Sequence, residues 1–386
     1  MSEEHSDEGA GSEQGRDKTK EGRGKLKIFL GAVPGVGKTY RMLAEAQRRV
    51  SRGEDVVVGF AEPHGRPATA ELLEGFEQIP LKKIEYRDKT FSELDTDAVL
   101  KRKPQWVLID ELAHTNVPGT IHPKRWQSIE EIRDAGINII TTVNVQHLES
   151  LNDAVYEITG VRVRETVPDW VVDSADEIEL VDLTPDALIN RLRRGDIYRG
   201  EAIPRALGNF FKKGNIVALR ELALRLTAAE VDDQLQVLVP TPTTAPTRAA
   251  HDRVVVCVSP REVSFKLVRR GYRLARRIQG DFICLHVTSP ERKIGEKEEA
   301  LLRQIFTLAR ELGGEVIELH GESVAEQIID YVNANRTTMV VMGQSATSRW
   351  EEIVRGSLVT RLMRETKNTD IVVVADSEEE LEDHRV

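Results

Sequence analysis

Two cysteines, Cys257 and Cys284, are all that 386 residues contain. So few exclude a disulfide framework and fit a reducing compartment. No apolar stretch approaches the roughly 18 residues that a membrane span requires, and no charged-then-apolar leader opens the chain. Residues 1–24 are instead polar and rich in Gly, Glu and Lys, the composition of a disordered tail. An excess of positive charge is missing too. The net charge is −10, which argues against a protein that coats nucleic acid. With 40% hydrophobic and 31% charged residues, the chain has the apolar content for large cores. Its length suggests two to three domains, and the expected location is the cytoplasm, with any membrane association through a partner.

The most informative segment is Ile28-Phe29-Leu30-Gly31-Ala32-Val33-Pro34-Gly35-Val36-Gly37-Lys38-Thr39. A short apolar run enters a Gly-rich turn ending in Gly-Lys-Thr, and a helical pattern (Met42 to Val50) follows. Strand, loop and helix stand in the order of a P-loop. Gly35, Val36 and Gly37 would offer backbone N–H groups to phosphate oxygens, with the helix N-terminus adding its dipole. Lys38 would bridge the β- and γ-phosphates of ATP, and Thr39 would give its hydroxyl to Mg²⁺. The first glycine of G-x-x-x-x-G-K-[ST] is Ala32 here, a small substitute; Gly31 stands one residue too early to fill that place.

Further apolar runs end in polar residues: Asp55–Phe60 before Glu62-Pro63-His64-Gly65-Arg66, Trp106–Ile109 before Asp110-Glu111, and Ile137–Val143 before Asn144, Gln146 and His147. Strands alternating with helical patterns predict a parallel sheet with helices on both faces and ligands at the strand ends. Asp110 fits the Mg²⁺-holding aspartate of an ATP site, and Glu111 could polarise an attacking water; a helix cap is the competing explanation for the pair. Asn144 and Gln146 could sense the γ-phosphate or merely form a loop. His64, His114 and His147 match no metal-ligand spacing and read as loop-packing residues. Asp169–Asp173 and Ile178–Asp182 look like a strand region, Thr184-Pro185-Asp186 opens a helix, and Asn209–Leu226 has helical spacing. The basic run Arg191, Arg193, Arg194 reads better as a solvated helix face than as a phosphate contact.

Pro240–Thr247 is a semi-rigid linker, after which strand and helix patterns restart. Runs at 253–258, 281–287, 315–319, 339–343 and 371–374 alternate with helical segments near 267–278, 297–312, 324–334 and from 357. The expected domains are therefore 25–239 and 252–376, joined by 240–251, with an acidic tail at 377–386. Gly343, followed at a distance by Gly356-Ser357, could bring a strand-end turn and a helix start to one phosphate, or be a simple cap.

Residues 25–235 resemble the N-terminal sensor region of the KdpD family of potassium- and turgor-responsive histidine kinases. The likeness is carried by Gly31–Tyr40, Val58–Arg66, Leu108–Asn116 and Thr141–Ser150. Residues 252–376 resemble the universal-stress-protein (Usp) domain that follows in the same family. The resemblance implies a P-loop NTPase-like α/β domain followed by a Usp-type, adenine-nucleotide α-hydrolase-like one. It implies bound ATP and Mg²⁺, and a response regulator or a separate histidine kinase as partner. The family's membrane helices and kinase core do not follow here, so the expected role is regulatory, with slow ATP turnover at most. In the Usp-like part Ser259 takes the place of an adenine-side aspartate. Of the family's Phe-Thr-Ala-x-Tyr block only Phe282 is kept (Phe282-Ile283-Cys284-Leu285-His286), which speaks against cyclic di-AMP. Two other classes stay open: a stand-alone P-loop ATPase doing metabolic or mechanical work, and a scaffold with a vestigial nucleotide pocket.

Overall fold

The computed structural model describes residues 22–238, 252–278, 280–290, 294–343, 358–366 and 368–375. The linker at 240–251, most of the N-terminal tail, the acidic tail, and Gly356 and Ser357 lie outside the described residues. The chain divides into two compact units, residues 1–148, 154–167 and 171–235 in the first, and 149–153, 168–170 and 236–386 in the second.

In the first unit, strands β1 (Leu26–Gly31), β2 (Val56–Phe60), β3 (Glu77–Gln78), β6 (Trp106–Ile109), β7 (Asn138–Asn144) and β8 (Glu177–Val181) form one parallel sheet. Its order is β3-β2-β6-β7-β1-β8. Strands β1, β2 and β6 are buried along their whole length, as their unbroken apolar runs require when helices cover both faces. Helix α1 (Lys38–Val50) buries Met42, Leu43 and Ala46 and carries Arg48 and Arg49 in its last turn, where the dipole favours cations. The other helices are α2 (Pro67–Glu74), α3 (Thr96–Arg102), α4 (Arg125–Asp134), α5 (Asn152–Thr159), α6 (Asp169–Asp173), α7 (Pro185–Arg193), α8 (Ala202–Gly208) and α9 (Lys213–Leu238).

Three features depart from the sequence expectations. Asp169–Asp173 is one helical turn, not a strand; Pro168 sets the backbone for a helix start, and Val171 and Val172 are buried. The helix expected over Asn209–Leu226 begins only at Lys213 and runs on to Leu238 as α9, because Gly208-Asn209 ends the preceding α8. An antiparallel hairpin, β4 (Lys82–Tyr86) with β5 (Lys89–Glu93), stands outside the parallel sheet. Arg87 and Asp88 at its turn both have positive φ, 49° and 58°, the backbone of a tight hairpin turn without its usual glycine.

The second unit is a parallel sheet in the order β11-β10-β9-β12-β13. The strands are β9 (Arg253–Cys257), β10 (Asp281–Thr288), β11 (Glu315–His320), β12 (Met339–Gly343) and β13 (Asp370–Val374). Helices α10 (Val263–Arg277), α11 (Glu296–Glu311), α12 (Val324–Ala334) and α13 (Leu358–Glu365) cover it. Successive residues of β9 point into opposite cores. Val254 and Val256 belong to one core with Leu267 and Phe306, and Val255 to the other with Leu285, Ile328 and Leu362. Burial pushes the thiols of Cys257 and Cys284 up to about 12, so both are inert side chains at neutral pH. Among the described residues no helix is long and apolar enough to cross a membrane.

Candidate functional site

All strands of the first sheet point the same way, so Gly31, Phe60, Ile109, Asn144 and Val181 end on one edge. There the chain forms a cleft of about 1380 Å³ whose floor is the Gly-rich loop. Gly35 and Gly37 hold φ of 89° and 103°, values that a side chain would resist. Ala32 has no such demand on its backbone, which explains why alanine serves there. Gly31, one residue off the motif, has its own reason. A Cβ on it would lie 2.9 Å from Lys38 Cδ and 3.2 Å from Asn144 Oδ1. The lysine stem crosses over Gly31 on its way to Asn144, where Nζ donates to Oδ1 at 2.5 Å.

Strand β7 separates β1 from β6 and supplies the groups between Lys38 and Asp110. Thr39 Oγ1 donates to Asp110 Oδ2 at 2.9 Å. The other oxygen, Oδ1, accepts from Thr142 Oγ1 on β7 and from the Glu111 N–H at 3.1 Å. Asp110 is 1% exposed, so its geometry is held from both sides. A threonine hydroxyl and a carboxylate at this spacing are hard oxygen donors of the kind that suit Mg²⁺. Burial draws the Lys38 ammonium down to about 8 despite the nearby Asp110 charge.

Glu111 occupies the left-handed backbone region (φ 60°), as does His64 across from it (φ 50°). Such conformations in non-glycine residues are strained by about 1–3 kcal/mol each. His64 Nε2 lies 3.4 Å from Glu111 Oε1. That contact raises the imidazole pKa and, with Arg125 behind it, holds the Glu111 carboxyl below its usual range. Glu62, His64 and Glu111 bring one donor atom each within 4.8 Å of one another. Gln146 does not reach Lys38 by any described contact; its amide nitrogen lies 3.4 Å from His147 Nε2. His147 Nδ1 meets Glu165 O at 2.7 Å, consistent with a loop-packing role.

The chain's relatives are consistent with this architecture. A family model described as "Osmosensitive K+ channel His kinase sensor domain" matches residues 22–231, and one described as "Universal stress protein family" matches 250–374. The chain is 44% identical over 354 residues to the putative sensor protein KdpD of Synechocystis sp., covering 92% of this chain and 95% of that one. The chain belongs to the KdpD sensor family. It is also 46% identical to the sensor protein KdpD of Escherichia coli (strain K12) over 354 residues, and 46% identical to that of Mycobacterium tuberculosis over 352. It spans 39% and 41% of those two proteins, about two fifths of their length. Among solved structures, a universal stress protein in complex with cAMP covers 33% of the chain at 21% identity, with a TM-score of 0.28.

In this KdpD-family chain the remaining candidates fall in the second unit. Ser259 follows the end of β9, its N–H accepted by Ser264 Oγ at 3.2 Å, and Gly343 ends the neighbouring β12. The two residues stand on the same sheet edge; their expected companions Gly356 and Ser357 are not among the described residues.

Sequence reasoning missed a buried ion pair under the first cleft. Arg125, at the start of α4, is fully buried; its Nη2 meets Glu93 Oε2 at 3.1 Å and its Nη1 donates to Asp110 O at 3.1 Å. The guanidinium also lies 3.7 Å from the Phe60 ring centroid and 3.6 Å from Glu111 Oε2. Glu93 takes further bonds from the Val117 N–H and the His114 ring. Desolvation alone would raise the Glu93 pKa, but these bonds and charges outweigh it and hold the carboxyl below its usual range. A carboxyl with a depressed folded-state pKa stabilises the protein above the unfolded value, and the contribution is lost as pH falls through the folded one. Urea titrations should therefore show stability dropping more steeply below about pH 4 in the wild type than in Glu93→Gln. The variant itself should start from a lower stability, since Arg125 loses its counter-charge. Parallel acid slopes would show that Glu93 is not ionised in the folded chain.

Proposed function

We propose that the first unit binds Mg-ATP and serves as a nucleotide-dependent input to potassium-responsive two-component signalling, with a response regulator or a separate sensor kinase as partner. One observation carries this: Lys38, Thr39, Asp110 and Asn144 converge over a loop whose two glycines are left-handed. The backbone N–H groups of Gly35, Val36 and Gly37 would cradle the phosphates, and Lys38 would reach across the β- and γ-positions. Thr39 and Asp110 would hold Mg²⁺, which when bound would neutralise charge on those phosphates. Asn144 fixes the Lys38 ammonium, and Glu111 is the group able to orient a water toward the terminal phosphate. The second unit, with Ser259, Gly343, Gly356 and Ser357 as candidate contacts, adds a separate ligand or protein input.

A regulator and a work-producing ATPase differ in turnover. Titration calorimetry of the full chain with Mg-ATP, paired with a steady-state phosphate-release assay, should give binding with turnover of about one per minute or slower. Rapid hydrolysis without any partner would overturn the regulatory reading. Glu111→Gln should keep ATP bound while the residual turnover falls about a hundredfold. Unchanged turnover in that variant would remove Glu111 from any role in hydrolysis.

A further inference from the structure

The carboxylates that line the cleft already have partners of their own. Asp110 is engaged by Thr39 and Thr142, and Glu111 by His64 and Arg125. Asp182 is paired with Arg220 at 2.6 Å, Asp196 with Arg194 at 3.3 Å, and Glu165 accepts from the Thr115 N–H at 3.0 Å. Arg66 and Arg191 line the same cleft and stand outside every one of these pairs.

Their positions are set by the backbone around them. Arg66 Nε donates to Asp196 O at 2.9 Å, while its terminal nitrogens make no hydrogen bond among the described residues. Arg199 Nη2 donates to Gly65 O at 2.7 Å, tying the segment 195–199 to the loop that carries Arg66. Ile197 of that segment packs on the Gly-rich loop; a Cβ on Gly35 would lie 2.4 Å from its Cδ1. Arg191, near the end of α7, lies over the same loop, with Nη1 3.8 Å from where a Cβ on Gly37 would stand. Arg193 and the following Arg194 are exposed, so of the two arginines in α7 only Arg191 turns toward the cleft. Arg66 is repelled by Arg191 and in turn repels Lys38, and it feels the attraction of Asp110 and Asp196. Like charges gathered at one point are unfavourable unless an anion joins them. On the nucleotide reading of the cleft, an anion beside these arginines would be the end of the phosphate chain away from the loop backbone.

We propose that Arg66 and Arg191 form a clamp for the terminal phosphate of a nucleoside triphosphate, making this cleft selective for triphosphate over diphosphate. The clamp rests on the nucleotide reading of the cleft and adds the phosphate count to it. It would also let the strap at 195–199, held through Arg66 and Ile197, respond to the presence of that phosphate.

The test is titration of the full chain with Mg-ADP and with a Mg-bound non-hydrolysable ATP analogue. Arg66→Gln, Arg191→Gln and the exposed control Arg193→Gln are compared, each with a melting curve. Each clamp variant should lose about ten- to hundredfold in affinity for the triphosphate while its diphosphate affinity stays within about threefold. Arg193→Gln should change neither. Where a glutamine variant fails to fold, Arg66→Lys or Arg191→Lys replaces it; each keeps the charge without the two-pronged donor and should lose about threefold or more for the triphosphate alone. Equal losses for both nucleotides, or no loss for either, would overturn the clamp and leave the nucleotide site standing. A wild-type chain that binds neither nucleotide would overturn both.

Discussion

Arg125→Ala is expected to destabilise the first unit by about 3–5 kcal/mol, the range for breaking a buried ion pair from one side. The guanidinium is fully buried, so its removal leaves the Glu93 carboxylate, 2% exposed, without its counter-charge. It also strips a hydrogen bond from the Asp110 carbonyl and a cation from the face of Phe60. A void the size of the lost side chain adds to the loss. For a unit of this size the melting temperature should fall by roughly 10 °C. The double variant Arg125→Leu with Glu93→Leu should recover much of the loss, because neither charge is then stranded. A melting temperature within about 2 °C of wild type for Arg125→Ala would show that the pair does not hold the floor of the cleft.

Lys38→Ala should act in the opposite direction on the empty protein. Its ammonium is drawn down by desolvation and answered only by the Asn144 amide and by carboxylates engaged elsewhere. Removing it relieves a buried charge, so the ligand-free chain should melt at the same temperature or a few degrees higher. Affinity for Mg-ATP should meanwhile fall by about a hundredfold or more, since a charge-assisted contact to the phosphates is lost. The pairing of unchanged or higher stability with lost binding separates a ligand-gripping lysine from a structural one. A drop in melting temperature with nucleotide affinity intact would identify Lys38 as a packing residue and remove the P-loop assignment.

What the sequence disclosed was local, and what it hid was assembled from distance. Gly35, Gly37, Lys38 and Thr39 are adjacent in the chain, so their motif is visible without a fold. Asp110 and Asn144 were readable because each ends an apolar strand. The pair Glu93 and Arg125 comes from a hairpin and a helix start 32 residues apart, and a charged residue near a helix start reads by default as solvated. Arg191 lines the cleft while Arg193 is exposed, a difference set only by the face of α7 each occupies. The hairpin at 82–93 escaped notice because its turn is Arg87-Asp88 and its strands are largely exposed, leaving neither a glycine nor an apolar alternation to read. Asp169–Asp173 was misread because three apolar residues between aspartates fit either period; the preceding Pro168 was the available signal. In the second unit β9, β10 and β12 were legible from their apolar, buried runs.

The central claim is that the nucleotide of this KdpD-family chain sits on the Gly-rich loop of the first unit. Hydrogen exchange of the full chain, followed by mass spectrometry with and without Mg-bound non-hydrolysable ATP analogue, tests it most directly. Protection should concentrate in peptides covering 31–41, 60–66 and 110–116, with Lys38→Ala abolishing it. Protection confined to peptides around 253–265 and 339–343, and surviving Lys38→Ala, would move the nucleotide to the second unit and contradict the account.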